Sequence, residues 1–314
     1  MEILPYDEVD PLDVLHLNLM SLDYPLTPER AATIRRLDAR PFPFYALYAM
    51  EDGHPVAQVS VYRLPAVSVD GAEDVGGISA VCSHPAYAGR GYAHLLMEEA
   101  ERRMVEAGLR FSTLGTSSHR SAYPFYLRLG YTDVVRDACA FAAHEVAARP
   151  TGLKATHSGE ALLRIADEIY ARNSPGRLGF AGRAPGFIQT MVETGELPAS
   201  EVWLVWQADQ AVGYALAHSI GPVIVVSGSC LDEGTDLAEV LSAMVEASGA
   251  GYVQYKSADI REVHRLRHLG YRVTVGDWGV FMVKPLVDSL QVDDFRRLFG
   301  VDTPAFLISW IDIT

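Results

Sequence analysis

The stretch Ser79–His94, SAVCSHPAYAGRGYAH, decides how this chain is read. A strand over Asp74–Ser83 ends, Pro85 breaks it, and Gly89 and Gly91 open a helix. From Tyr92 to Ala107 leucines, methionines and alanines recur at helical spacing, and Gly108 is a natural stop. Glycines accept positive φ and put no Cβ in the way, so successive N–H groups can converge on one point. The helix N-terminus adds its partial positive charge. Together these suit a diphosphate. A glycine turn that merely caps a helix looks the same locally, so the rest of the chain has to decide.

Working outward, Met1–Leu4 reads as a strand, and Asp10–Ser21 and Pro28–Ala39 as helices. Phe44–Met50 and His54–Leu64 form a hairpin across Glu51-Asp52-Gly53. Beyond the helix come a strand at Arg110–Gly115, a helix at Ser121–Leu129 and two closing strands, Tyr131–Arg136 and Ala138–Ala143. This predicts an α/β fold of the mixed-sheet kind with helices packed on it. After AARPTG (Ala147–Gly152), a linker by composition, the pattern repeats. Helices are expected at Gly159–Ala171 and Phe187–Thr194, then a hairpin, a strand at Pro222–Leu231, and a helix at Asp236–Ser248. A strand (Gly251–Lys256), a helix (Ile260–Leu269) and closing strands at Tyr271–Val275 and Trp278–Lys284 follow. GHPVAQVSV (Gly53–Val61) has its counterpart in DQAVGYALA (Asp209–Ala217), and YLRLGY (Tyr126–Tyr131) in LRHLGY (Leu266–Tyr271). The expected organisation is two tandem copies of one fold, residues 1–147 and 152–285, with a tail over 286–314.

Ala88-Gly89-Arg90-Gly91-Tyr92-Ala93, with His84-Pro85 before it, resembles the acetyl-CoA loop of the GCN5-related N-acetyltransferases, Gln/Arg-x-x-Gly-x-Gly/Ala. Gly91 and Ala93 match its fourth and sixth positions; Ala88 departs from its first, a gap that Arg90 or His94 could fill. AYPFYLRLGY (Ala122–Tyr131) is similar to the family's A-x-x-x-Y-x-x-x-G-F/Y segment. The resemblance covers residues 1–145 and is motif-grade over 79–131. It implies acetyl-CoA as co-substrate, held by Val81, Cys82, Ser83, Ala88, Gly89, Arg90, Gly91, Tyr92, Ala93 and His94, with His119 and Ser121 near the pantetheine arm. It puts Tyr126 at the position of the acid that protonates the departing thiolate. The chemistry agrees. Acyl transfer to an amine needs a donor for the developing oxyanion, which a backbone N–H at Val81, Cys82 or Ser83 can supply, and an acid, which a phenol can be. Two ordinary readings stand beside these: Tyr126 as a core aromatic, and Cys82 as a small buried hydrophobe rather than a nucleophile.

In the second copy the matching loop is Leu231-Asp232-Glu233-Gly234-Thr235-Asp236, with three carboxylates where a phosphate would sit, and Leu266 stands in Tyr126's place. This predicts a degenerate, CoA-free copy that supplies one wall of the acceptor site. An active first copy and a degenerate second resemble the enhanced-intracellular-survival type of acetyltransferase, without its third domain because the chain ends at Thr314. That resemblance implies a catalytic terminal carboxylate, here Thr314 (or Asp312). An extra strand of the second sheet at Phe306–Thr314 is the competing reading. Asn173–Phe187, rich in glycine and arginine, reads as a lid or a plain inter-helix loop.

The 314 residues, 49% hydrophobic and 21% charged, exclude a disordered or low-complexity chain. A formal net charge of -14, from 26 basic and 40 acidic residues, argues against nucleic acid and for a cationic amine acceptor. Asp10, Asp13, Asp23 and Tyr24 are candidates to touch that acceptor, although charge there also suits a solvated helix face. Three cysteines at 82, 139 and 230 have no metal-site spacing and suit reduced thiols. No signal peptide or membrane span is visible, so a soluble, cytoplasmic protein is expected. Two functions follow: an N-acetyltransferase working by direct transfer in a ternary complex, or a non-catalytic acyl-CoA-binding sensor.

Overall fold

The computed structural model describes residues 2–313, with residues 277 and 278 described by their backbone alone. The first copy contains β1 (Glu2–Pro5), α1 (Pro11–Leu22), α2 (Pro28–Leu37), β2 (Pro41–Glu51), β3 (His54–Ser68), β4 (Gly71–Ser83), α3 (Tyr92–Glu106), β5 (Phe111–Ser117), α4 (Tyr123–Arg128) and β6 (Thr132–Ala143). The one-turn α5 (His144–Ala147) leads into the second. There follow β7 (Leu153–His157), α6 (Leu163–Asn173), β8 (Leu178–Gly179), α7 (Phe187–Glu193), β9 (Val202–Gln207), β10 (Gln210–Ile220), β11 (Val223–Leu231), α8 (Leu237–Ser248), β12 (Tyr252–Ser257), α9 (Ile260–His268) and β13 (Arg272–Pro285). The tail adds α10 (Val292–Phe299) and β14 (Phe306–Leu307).

Local chemistry sets these elements. The Asp10 carboxylate caps α1 by accepting from the Leu12 N–H, with Pro11 in the first turn, and Thr27 and Pro28 do the same for α2. Asp52 and Gly53 both take positive φ, as a tight hairpin between β2 and β3 requires. The strands join in one mixed sheet, in the order β1-β2-β3-β4-β5-β13-β6-β12-β11-β10-β9-β7. Apolar clusters on its faces carry α1 and α2, α3 and α4, α8 and α9, and α6 and α7.

That order corrects the expected closing strands. Each repeat has one long strand there, not two short ones, and the repeats exchange halves. Residues 132–136 of β6 stay in the first repeat, while Ala138–Ala143 pair with β12 of the second. Arg272–Val275 of β13 stay in the second repeat, while Gly279–Pro285 pair with β5 of the first. Alternating apolar residues specify a strand but not its partner, so either pairing satisfies the sequence pattern. Val280–Val283 are fully buried in the exchanged position. The tail also departs from expectation. Among the described residues of the tail, only Phe306–Leu307 form a strand, and they pair with β8, which in turn touches β3 at Val67. The strand β7, next to the linker, and the helix α10 were not anticipated.

The loop Asn173–Phe187 is built into the body of the protein. Phe180 is buried, and Arg183 makes a two-bond ion pair with Asp312 (2.5 and 3.0 Å), its side chain lying over the Tyr170 ring. Both charged side chains are nearly inaccessible, at 6% and 4% exposure. Arg183→Met leaves Asp312 buried without a counter-ion. It is expected to cost roughly 3–5 kcal/mol, read as a lowered denaturant midpoint, whereas Arg183→Met combined with Asp312→Leu recovers most of it.

Candidate active site

The parallel strands β4 and β5 pair only from Gly76↔Ser112 to Ile78↔Leu114, yet they run on to Ser83 and Ser117. Past Ile78 they diverge and leave a fork in the sheet. The glycine turn stands at its mouth. Gly89 and Gly91 have φ of 79° and 88°, and a Cβ at either would meet nothing within 4 Å. Gly91 caps α3 without any side-chain hydrogen bond. The N–H groups of Gly91, Tyr92, Ala93 and His94 meet no acceptor among the described residues. Exposed donors at a helix N-terminus with open space before them fit a diphosphate.

The other residues singled out in the sequence take varied places. Ala88 donates its N–H to the Pro85 carbonyl (3.3 Å). Arg90 does not fold back over the turn; it pairs with Glu51 (3.3 Å) and lies over the Tyr87 ring. His94 faces one turn onward, toward Glu98 (3.3 Å). The loop is instead braced by aromatics that sequence reasoning missed: Tyr87 sits between His84 and Tyr92, with centroids at 5.6 and 6.4 Å. His119 and Ser121 are exposed between β5 and α4, and the His119 N–H donates to Ser117 Oγ (3.4 Å). Val81 and Ser83 are half-buried at the end of β4. Cys82 is buried, and burial pushes its thiol up to about 12, which removes it as a nucleophile.

Tyr126, on α4, is 7% exposed and packs edge-on to Tyr131. Its hydroxyl makes no hydrogen bond among the described residues. Burial pushes the phenol up to about 12; Cys82 adds to the rise and Arg120 opposes it. Tyr126 therefore stays protonated at neutral pH and, in proton transfer, can serve as an acid.

The tail reaches this region. Trp310 lies on Gly115 and Gly279, where a Cβ would meet its ring at 2.6 and 2.7 Å, and its indole N–H donates to Asp137 (2.9 Å). Burial raises the Asp137 carboxyl to about 6, and the Trp310 hydrogen bond and Lys256 work against the rise. Ile313 Cδ1 comes within 3.4 Å of the Cβ position of Gly115, just past the fork point. Thr314, expected to be catalytic, lies outside the described residues. Asp312, its alternate, is occupied by Arg183. Arg40 ties the same segment by donating to the Ile311 and Asp312 carbonyls.

The second repeat supplies neighbouring surface. Tyr24 donates to Glu196 (2.5 Å), and Arg30 donates to the Thr194 and Gly195 carbonyls, pinning the α1–α2 connection. Asp10 is used as a helix cap and Asp13 pairs with His54 (2.9 Å). Glu196 and Glu201 line a cavity of about 160 Å³ with Ser309 and Trp310, between the second repeat and the tail.

The equivalent fork in the second repeat is differently furnished. β11 and β12 pair up to Val226↔Tyr255 and then part. Tyr255 and Ser257 both donate to Glu262 (2.7 and 3.1 Å), and Ser229 lies 3.3 Å from the Tyr255 hydroxyl, so side chains bridge the gap. Asp236 occupies the start of α8 through the Ala238 N–H, and Asp232 is held by Arg172 and Asn173. A cavity of about 930 Å³ opens at this fork, lined by Tyr255, Glu262 and Arg183, by Arg136 and Asp137 of β6, and by Trp310 of the tail among others. None of the residues from Tyr87 to His94 lines it. Leu266 is buried.

Residues 13–131 match the family model for the acetyltransferase (GNAT) family. No curated protein matches the chain by sequence. Solved structures share the fold at low identity. A probable N-acyltransferase from Enterococcus faecalis V583 has a TM-score of 0.68 at 16% identity, covering 91% of this chain and 72% of that one. Eis1 from Mycobacterium abscessus gives 0.61 at 15%, covering 91% and 74%. A tandem GNAT protein from the clavulanic acid biosynthesis pathway gives 0.55 at 13%, covering 92% and 99%. Residues 13–131 are thus similar to the acetyltransferase (GNAT) family, and the chain as a whole shares its fold with a tandem GNAT protein.

Proposed function

We propose that the protein is an acetyl-CoA-dependent N-acetyltransferase whose first repeat, residues 1–147, transfers the acetyl group directly to a primary amine in a ternary complex. The observation that carries this is the fork between β4 and β5, with unpaired N–H donors at its mouth and a protonated, buried Tyr126 beside it. The free N–H groups from Gly91 to His94 hold the diphosphate. The N–H of Val81 donates to the thioester carbonyl as the amine nitrogen attacks and negative charge builds on that oxygen. When the carbon–sulfur bond breaks, Tyr126 gives its proton to the thiolate, and the proton of the attacking amine leaves with a base. The second repeat, residues 152–285, binds no CoA and walls the acceptor site. A cationic acceptor is supported by the net charge of -14.

Thiol release from acetyl-CoA, measured with polyamines, aminoglycosides and lysine peptides, tests this. Turnover with at least one class is expected. Acetyl-CoA binding without turnover on any amine would make the protein a sensor instead.

The Thr314 carboxylate is proposed as the base. Deleting the last three residues tests it badly, because that removes Asp312 and strands Arg183 in the interior. Appending two glycines moves the carboxylate while keeping every side chain. If the carboxylate takes the proton, kcat falls by ~10²-fold with an unchanged melting temperature; an unchanged kcat removes Thr314 from the mechanism.

A further inference from the structure

The part of β4 that lines the fork has lost β5 as a neighbour, and it also carries a bulge. From Gln58 to Ser60 on β3 the partner strand runs from Cys82 back to Ser79, so β4 holds one extra residue. Ala80 sits there with φ of 47°, a left-handed conformation that a side chain makes costly. Something has to hold it. The Gln58 side chain donates from Nε2 to the Ala80 carbonyl (3.2 Å), and its amide is locked in turn by Asn18 on α1. Asn18 Nδ2 donates to Gln58 Oε1 (2.9 Å) and to the Val14 carbonyl (2.9 Å), while Gln58 Nε2 also donates to Asn18 Oδ1 (3.2 Å). Both side chains are fully buried, at 0% and 1% exposure. One turn along α1, Ser21 donates to the Ser83 carbonyl (3.2 Å). Thus α1 holds β4 on both sides of Val81 and Cys82.

A trans peptide points its C=O and N–H in opposite directions. With the Ala80 carbonyl drawn to Gln58, the Val81 N–H is turned away from it. We propose that Asn18 and Gln58 are positioning residues: they fix the peptide between Ala80 and Val81 so that the Val81 N–H is aimed at the carbonyl of an acyl group lying in the fork. This rests on the acyl-transfer reading above. Burial alone does not call for the pair, since two apolar side chains of similar volume fill the space with neither amide to desolvate. What the amides add is the bond to Ala80.

The test pairs Asn18→Leu with Gln58→Leu, which removes both partners together and leaves neither amide orphaned. The probe is acetyl-CoA labelled with ¹³C at the carbonyl, read by infrared difference spectroscopy. In the unmutated protein the bound thioester band is expected below its position in solution, because a donor polarises the carbonyl. In the double variant the band returns to the solution position, acetyl-CoA affinity and melting temperature stay near the original, and kcat falls ~10–100-fold. If the double variant keeps the lowered band and the original kcat, the amides are packing and the proposal is overturned. Should the double variant not fold, Gln58→Met, which keeps the length and cannot donate to Ala80, carries the same two outcomes. An unmutated protein that binds no acetyl-CoA, or binds it with no band shift, overturns the acyl-transfer reading and this proposal together, and is told apart because it needs no variant.

Discussion

Replacing Tyr126 by phenylalanine is expected to lower kcat by ~10²–10⁴ and to leave acetyl-CoA affinity little changed. The substitution is a clean one. Phenylalanine keeps the ring that packs against Tyr131, and the hydroxyl it removes makes no hydrogen bond among the described residues. A loss of rate therefore cannot be attributed to a broken network. The pH dependence adds a second check. With the phenol raised to about 12, its acid form is complete at neutral and mildly alkaline pH. No falling limb from Tyr126 is expected until pH approaches that value, and the variant should show the parent profile at lower amplitude. A full rate in Tyr126→Phe would leave this tyrosine as a core aromatic and require another acid.

Gly91→Glu is expected to weaken acetyl-CoA binding by more than ~100-fold, since a carboxylate among the donors meets the diphosphate as a like charge at close range. At φ of 88° any side chain is strained, by about 1–3 kcal/mol, but no atom lies within 4 Å of a Cβ there, so the fold has room for it. Gly91→Ala separates the two effects: it carries the same backbone strain without the charge. Titration calorimetry should find Gly91→Ala close to the parent and Gly91→Glu silent. Equal losses in both would mean that backbone shape, not charge, controls the site.

How much of this was legible in the sequence depends on the range of the interaction. The caps at Asp10, Thr27 and Asp236, the hairpin at Asp52-Gly53 and the turn at Gly91 are local, and each could be read from a few adjacent residues. The mixed sheet and the duplication could be read from periodicity and from repeated segments. The exchange of β6 and β13 could not, because an alternating strand satisfies any neighbour that buries the same face. The tail is likewise a long-range construction. Trp310 needs the bare backbones of Gly115 and Gly279, and Asp312 needs Arg183, 129 positions away. Asn18 and Gln58 did leave a trace: each is the one amide in a largely apolar stretch, LHLNLM and PVAQVSV, which is where a buried polar pair should be sought. Arg90 and His94 show the opposite failure. They lie beside the turn in sequence, yet their side chains are directed to Glu51 and Glu98.

The most direct measurement is a crystal structure grown with acetyl-CoA. The diphosphate should lie against the N–H groups of Gly91 to His94, with the pantetheine arm between β4 and β5 and the thioester near Val81 and Tyr126. Density for the carrier in the 930 Å³ cavity that Leu231 and Asp236 help to line, with the first fork empty, would contradict that arrangement.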